Sequence, residues 1–361
     1  MLKIGSMFCN MCAMQKAFKG ALSEMNIENN LTFTIVDDDD SSSVYKALFD
    51  LDTISIDQAL NQKLDVVDIL LVGHQCFQDT SKQQLTQLII SKTKANWIIF
   101  ETSFDYFLTN EHSESQQELC DFLASENYLM DFYPLNSKYF QTPLDKNQVI
   151  IIAHSSDDFP RWANNTSKIK MFNLGFDIKY EVSKCLSDIL EDANSIDQTQ
   201  NVDFIMSDDE IEEVYEIEKL ISDNDHRNLQ IYYTLCFDRL FFINDLCPPI
   251  SEQGIPIIAD RRIGSKVKHK KMFPNDPRDI DLFSNSLDFD TNETHTARTS
   301  FSIRRLTILE CMRLYGFSDK DYELLESKGV SNDTIISLLI DSTHVNMINA
   351  IAKHILNYVN V

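Results

Sequence analysis

Cys9 and Cys12 stand in a Cys-x-x-Cys pair, the spacing of half a tetrahedral metal site. No second Cys/His pair of suitable spacing answers them, so the pair is not read as a metal centre. Cys76 and Glu101 each close an apolar run. Taken alone, a cysteine at a strand end is a small buried hydrophobe, and acids at strand ends are common. Arg261, Arg262, Lys266, Lys268, Lys270 and Lys271 crowd into one short segment. Such a cluster suits phosphate contacts or a solvated basic loop. Near the C-terminus, Thr307 stands three residues before Glu310, and Cys311, Leu314 and Tyr315 follow at helical spacing. That pattern predicts a capped, amphipathic helix.

These residues need elements to hold them. Apolar runs over Leu2–Phe8, Leu31–Val36, Val67–Val72, Trp97–Phe100 and Val149–Ala153 predict strands. Helical patterns over Ala13–Leu22, Val44–Phe49, Leu85–Ile90 and near Gln116–Leu123 alternate with them. The alternation predicts an α/β fold: a doubly wound, mainly parallel sheet with helices on both faces. Ligands of such sheets bind at the carboxyl ends of the strands. The rhythm changes after about Ile169. Ser207 caps a predicted helix that opens with Asp208, Asp209 and Glu210. Periodicity then fades until about Arg298 and returns from Arg304, with Ile335–Ile340 and Ile348–Val359 apolar enough to pack back on the first domain. The domains expected are 1–185 plus 300–361, and a smaller irregular module over 186–299.

A hydrophobic content of 43% and a charged content of 24% fit a water-soluble globular chain. No apolar run reaches membrane-spanning length, and no signal-peptide pattern opens the chain. The eight scattered cysteines suggest a reducing, intracellular compartment, in the cytoplasm or with DNA. A net charge of −24 disfavours gripping a polyanion, because such proteins carry a basic face.

The string Arg304-Arg305-Leu306-Thr307 followed by Glu310-Cys311-Met312-Arg313-Leu314-Tyr315-Gly316-Phe317 resembles the R-x-L-T-x-x-E-C-x-R-L-x-G-F signature of cytosine-5 DNA methyltransferases. In that family it holds the target-recognition region against the catalytic domain. Further motifs follow in the family's order. Phe8 to Phe18 looks like F-S-G-I-G-A-M-E-K-A-L, whose glycines turn the backbone beneath the methionine part of S-adenosylmethionine. Here Asn10 and Cys12 replace both glycines. Asp38 falls where the family binds the ribose hydroxyls, and Ser55 where it has an Asp for the adenine amino group. Asp341-Ser342-Thr343 stands where G-N-S completes the cofactor pocket.

Asp68 to Ser81 resembles D-I-L-x-x-G-F-P-C-Q-D-x-S, the catalytic motif. The resemblance makes Cys76 the thiolate that attacks cytosine carbon-6. Read from its right-hand end, the motif places Phe77 at that position, so one extra residue sits beside the thiol. Trp97 to Ser103 looks like the strand ending in E-N-V, which makes Glu101 the carboxyl that holds the base edge. Phe140 to Val149 resembles Y-G-V-P-Q-N-R-E-R-V, with Lys146 and Gln148 in place of its two arginines and Leu144 in place of its glutamine. Leu246 to Ile250 resembles an A-P-T-I/L element of the recognition region. The long mobile loop that closes over DNA in the family has no counterpart, because Ser81 runs through Lys82-Gln83-Gln84 straight into the Leu85 helix.

The family implies methyl transfer from S-adenosylmethionine to cytosine in DNA, with Cys76 and Glu101 as catalytic residues. Phe8 and Asp38 are the cofactor candidates. Lys146 and the Arg261–Lys271 cations are the DNA candidates, and no metal is implied. The altered contacts predict weak or absent cofactor binding. They favour a silent pseudo-methyltransferase that serves an active partner chain as a regulatory or recognition subunit. An acidic decoy for DNA-binding proteins is a third reading, from charge alone.

Overall fold

A computed structural model describes residues 1–77, 80–104, 106, 113–155, 182–191, 240–242, 246–251, 254–260 and 302–359. The chain separates into two compact units, Met1–Lys184 with Cys311–Val361, and Cys185–Glu310.

The first unit is built on a six-stranded sheet. Its strands are β1 (Leu2–Met7), β2 (Asn29–Ile35), β3 (Ile69–Val72), β4 (Trp97–Ser103), β5 (Tyr128–Asn136) and β6 (Asn147–Ser155), in the order β2-β1-β3-β4-β6-β5. The β1–β2, β1–β3 and β3–β4 pairs are parallel, while β6 runs antiparallel to both β4 and β5. Every residue of β3 is buried, as expected for a strand covered on both faces. Alternate residues serve opposite faces. Leu70, Val72, Ile98 and Phe100 join one core cluster with Leu85, Ile89, Leu119 and Leu123 of the covering helices α4 (Thr80–Thr93) and α5 (Ser113–Ser125).

The remaining helices begin where their sequences allow it. α1 (Ala13–Glu24) starts after Cys12, which takes the left-handed conformation at φ 53°. α2 (Asp39–Phe49) is capped by Asp38, and α3 (Ile56–Asn61) by a capping box between Ser55 and Gln58. α6 (Ile308–Leu314) carries the signature string. α7 (Asp319–Ser327), α8 (Asn332–Ile340) and α9 (Val345–Leu356) complete the first unit. α9 packs on α1, where Asn349 Nδ2 donates to the Ala17 carbonyl at 3.1 Å. No single helix among the described residues is long and apolar enough to cross a membrane.

The second unit holds a three-stranded sheet, β7 (Leu240–Phe242), β8 (Ile257–Asp260) and β9 (Ser302–Arg305). Because β9 pairs with β8, residues 302–310 belong to this unit. Arg304 is fully buried and makes a two-pronged ion pair with Glu310, at 2.7 and 2.9 Å. Glu310 also accepts from the Thr307 and Glu191 amides, each at 2.9 Å, so a buried carboxylate is satisfied on several sides. The helix expected after Ser207 and the basic segment Arg261, Arg262, Lys266, Lys268, Lys270 and Lys271 lie outside the described residues.

Candidate functional site at the carboxyl ends of the strands

The parallel strands bring their carboxyl ends to one edge, and the catalytic and cofactor candidates of the sequence collect there. β1 delivers Phe8, Cys9 and Asn10, β3 delivers Gly73 to Phe77, and β4 delivers Glu101. The β1 and β3 ends touch closely. A Cβ on Gly73 would lie 1.9 Å from the Phe8 carbonyl oxygen, so no larger residue fits without moving backbone. Phe8 itself takes a left-handed φ of 56°.

Cys76 sits on a single 3-10 turn, His74–Phe77, directly after β3. Its side chain is 2% exposed and belongs to the core cluster with Val72, Phe77 and Phe100. Burial pushes its thiol well above the ordinary range, and the neighbouring acidic groups of Glu101 and Cys9 add to the effect. Phe77 is equally inward, with its ring 6.0 Å from Phe100 and 5.5 Å from Tyr106. Both registers of the motif therefore end in the core, and neither presents a thiolate at the surface. α4 begins at Thr80, so only positions 78 and 79 separate the turn from the helix.

Glu101 is 4% exposed, and burial raises its carboxyl to about 7. Lys146, the Gln148 amide and the His74 backbone N–H hold it lower than burial alone would, while Asp341 opposes them. Gln148 is fully buried. Its Nε2 donates to Glu101, and its carbonyl accepts from Thr343 Oγ1 at 3.3 Å. It joins the carboxyl to the Asp341-Ser342-Thr343 turn.

Lys146 was a DNA candidate, but its ammonium turns inward. It donates to the Ile340 and Ser342 carbonyls, at 3.1 and 2.7 Å, and lies 5.4 Å from the centre of the Tyr315 ring. It thus satisfies the open carbonyls at the end of α8. Burial lowers its pKa, opposed by Glu101 and Asp341. Asp38 is likewise a cap: one carboxylate oxygen accepts from the Ser41 amide and the other from its hydroxyl, at 2.5 and 2.8 Å.

Two residues that the sequence reading passed over matter here. Gln15 is buried on α1 beside the Cys9 thiol and the Tyr45 hydroxyl, and no well-aligned hydrogen bond ties down either end of its amide. Lys82 reaches from the first turn of α4 to Asp37 at 2.6 Å. Its position, three residues from the catalytic-type motif's Asp79, was the only sequence hint.

The comparisons with known proteins agree with this architecture. The C-5 cytosine-specific DNA methylase family model matches residues 2–357. The chain belongs to this family. It is 21% identical over 312 residues to the orphan methyltransferase M.SPBetaI of Bacillus phage SPbeta, covering 76% of this chain and 69% of that protein. Among solved structures it is similar to the S. pombe Dnmt2 methyltransferase, with a TM-score of 0.61, 14% identity and full coverage of both chains. It is also similar to the Entamoeba histolytica methyltransferase EhMeth, with a TM-score of 0.60 and 12% identity over 100% of this chain and 99% of that one. These likenesses establish the shared fold.

Membership of the family implies S-adenosylmethionine as methyl donor. The space bounded by Phe8 to Met11, Gly73, His74, Glu101 and Asp341 to Thr343 amounts to about 10 Å³, room for a single water at most. Met11, Ala13 and Met14 are themselves buried around it. Among the described residues no group of three or more His, Cys, Asp or Glu could hold a metal ion.

Proposed function

We propose that this member of the cytosine-5 methyltransferase family is catalytically silent, and that it serves an active methyltransferase chain as a recognition or regulatory subunit. The observation that carries the reading is Cys76. A nucleophile must reach its substrate as a thiolate, and this thiol lies in an apolar core that disfavours ionisation. The narrow space at Gly73, His74 and Glu101 and the two-position interval between the 3-10 turn and α4 support the same reading. A closing loop after this turn would exclude water and complete the constellation, and the interval before α4 is too short to supply one there. A net charge of −24 supports a protein partner over DNA as the first contact.

One observation favours an active enzyme instead. Glu101 keeps a carboxyl near neutrality at the position where the family holds the cytosine edge, and a proton donor of that pKa suits acid catalysis.

The test has two arms. The purified chain is incubated with labelled S-adenosylmethionine and mixed-sequence duplex DNA, alone and with a co-purifying methyltransferase. The silent reading expects no label from the chain alone, and label with the partner that survives Cys76→Ala. Labelled DNA from the chain alone, lost on Cys76→Ala, overturns it and makes Cys76 the nucleophile.

A further inference from the structure

Open α/β sheets take ligands where the strand order reverses, and in the order β2-β1-β3 that point lies between β1 and β3. Four groups converge above it. The Phe8 ring follows β1, the Asp37 carboxylate follows β2, the Gln75 amide follows β3, and the Lys82 side chain descends from α4. The Lys82 ammonium lies 2.6 Å from Asp37 Oδ2, 3.3 Å from Gln75 Oε1 and 5.5 Å from the centre of the Phe8 ring.

We infer that the crevice is a receptor for a primary alkylammonium, filled and shut by the chain's own Lys82. The inference rests on the silent reading, whose small cavity it extends to the neighbouring strand ends. The chemistry of the three walls is specific. An aromatic face attracts a cation, a carboxylate pairs with it, and an amide carbonyl accepts another of its N–H groups. The Lys82 and Asp37 side chains are 20% and 24% exposed, so the pair is partly sheltered from water and holds more firmly than a surface pair. The strap is one side chain rather than a backbone segment. It can leave by rotamer change alone, which makes the closure reversible. A molecule entering the crevice must displace this ammonium, and a lysine side chain of a partner carries the group that can replace it.

Lys82→Ala removes three methylenes and the ammonium, which is the outline of n-propylammonium. We expect the variant to gain about 3 °C in Tm in roughly 100 mM propylammonium chloride, beyond the effect of sodium chloride at equal ionic strength. The wild-type chain, whose receptor is full, gains less than about 1 °C. Equal responses in both proteins overturn the inference. A second readout uses intact chain. With lysines labelled biosynthetically with ¹³C at Cε, the signal missing from Lys82→Arg is expected upfield of the other lysine signals, shifted by the Phe8 ring, and to return to their range in Phe8→Leu. A Lys82 signal at the ordinary lysine position overturns the closure even if Lys82→Ala fails to fold. Methyl transfer by the wild-type chain sinks the silent reading alone, and the receptor still stands or falls on these two readouts.

Discussion

Glu101 couples the site to pH. Burial lifts its carboxyl from 4.5 to about 7, so the folded state holds the proton more tightly than the unfolded state. The stability this gives is fully present below the unfolded value and is lost as pH rises through the folded one. The loss amounts to about 3 kcal/mol between roughly pH 4.5 and 7. Glu101→Gln should remove it. Urea midpoints at pH 5 and pH 7 check this: the wild-type chain should lose more stability over that interval than the variant. Gln15 offers a different single-residue test. A buried amide held only by poorly aligned contacts to Cys9 and Tyr45 costs about 1–3 kcal/mol. Gln15→Met, of similar volume and without polar atoms, should therefore raise stability by about 1 kcal/mol in equilibrium unfolding. An unchanged or lower midpoint would show that the amide is satisfied. At this scale the sequence was informative about type and poor about direction. The Cys76 position followed from the motif, but one residue more or less in a 3-10 turn decides whether a thiol faces core or crevice. The inward turn of Lys146 depends on open carbonyls at Ile340 and Ser342, far along the chain.

The elements were legible where burial is two-sided. The runs behind β1, β3 and β4 are nearly continuous in apolar residues, and each strand lies where its run predicts. β5 was missed. It is an edge strand with exposed residues on both faces, Leu129 on one and Phe132 and Pro134 on the other, and the half-buried Asp131 interrupts its apolar run, so its pattern is weak. The antiparallel direction of β6 was also hidden, because an apolar run does not encode which way its neighbour points. α3 escaped notice at six residues, although its capping box is present in the letters. The contact between the β1 and β3 ends makes a prediction at this scale. Gly73→Ala drives a methyl group against the Phe8 carbonyl, a backbone atom that cannot rotate away. We expect a loss of about 3 kcal/mol, read from denaturant midpoints, since overpacking of this kind costs about 1–3 kcal/mol or more. A loss below about 0.5 kcal/mol would mean that the two strand ends part easily.

Across the whole chain, like-charge repulsion outweighs attraction. Fifty-six acids face thirty-two Lys and Arg residues, which leaves the folded state repelling itself at low salt. Raising sodium chloride from about 10 to 200 mM should lift Tm by several degrees, because the screening length falls from about 30 Å to below 10 Å. A Tm that falls with salt would instead point to attractive pairs, such as Lys82–Asp37 and Lys16–Asp321, as the larger electrostatic contribution.

The packing of α9 on α1 has a consequence for synthesis. α1 leaves the ribosome early, yet the helix that covers it is made about 330 residues later, on the order of 20–60 s at roughly 5–20 residues per second. During that interval Ala17, Phe18, Ala21 and Leu22, all fully buried in the finished protein, have no cover from α9. The nascent chain therefore offers an apolar helix face to chaperones for most of its translation. A ribosome stalled anywhere before Val345 would release a product that aggregates through that face.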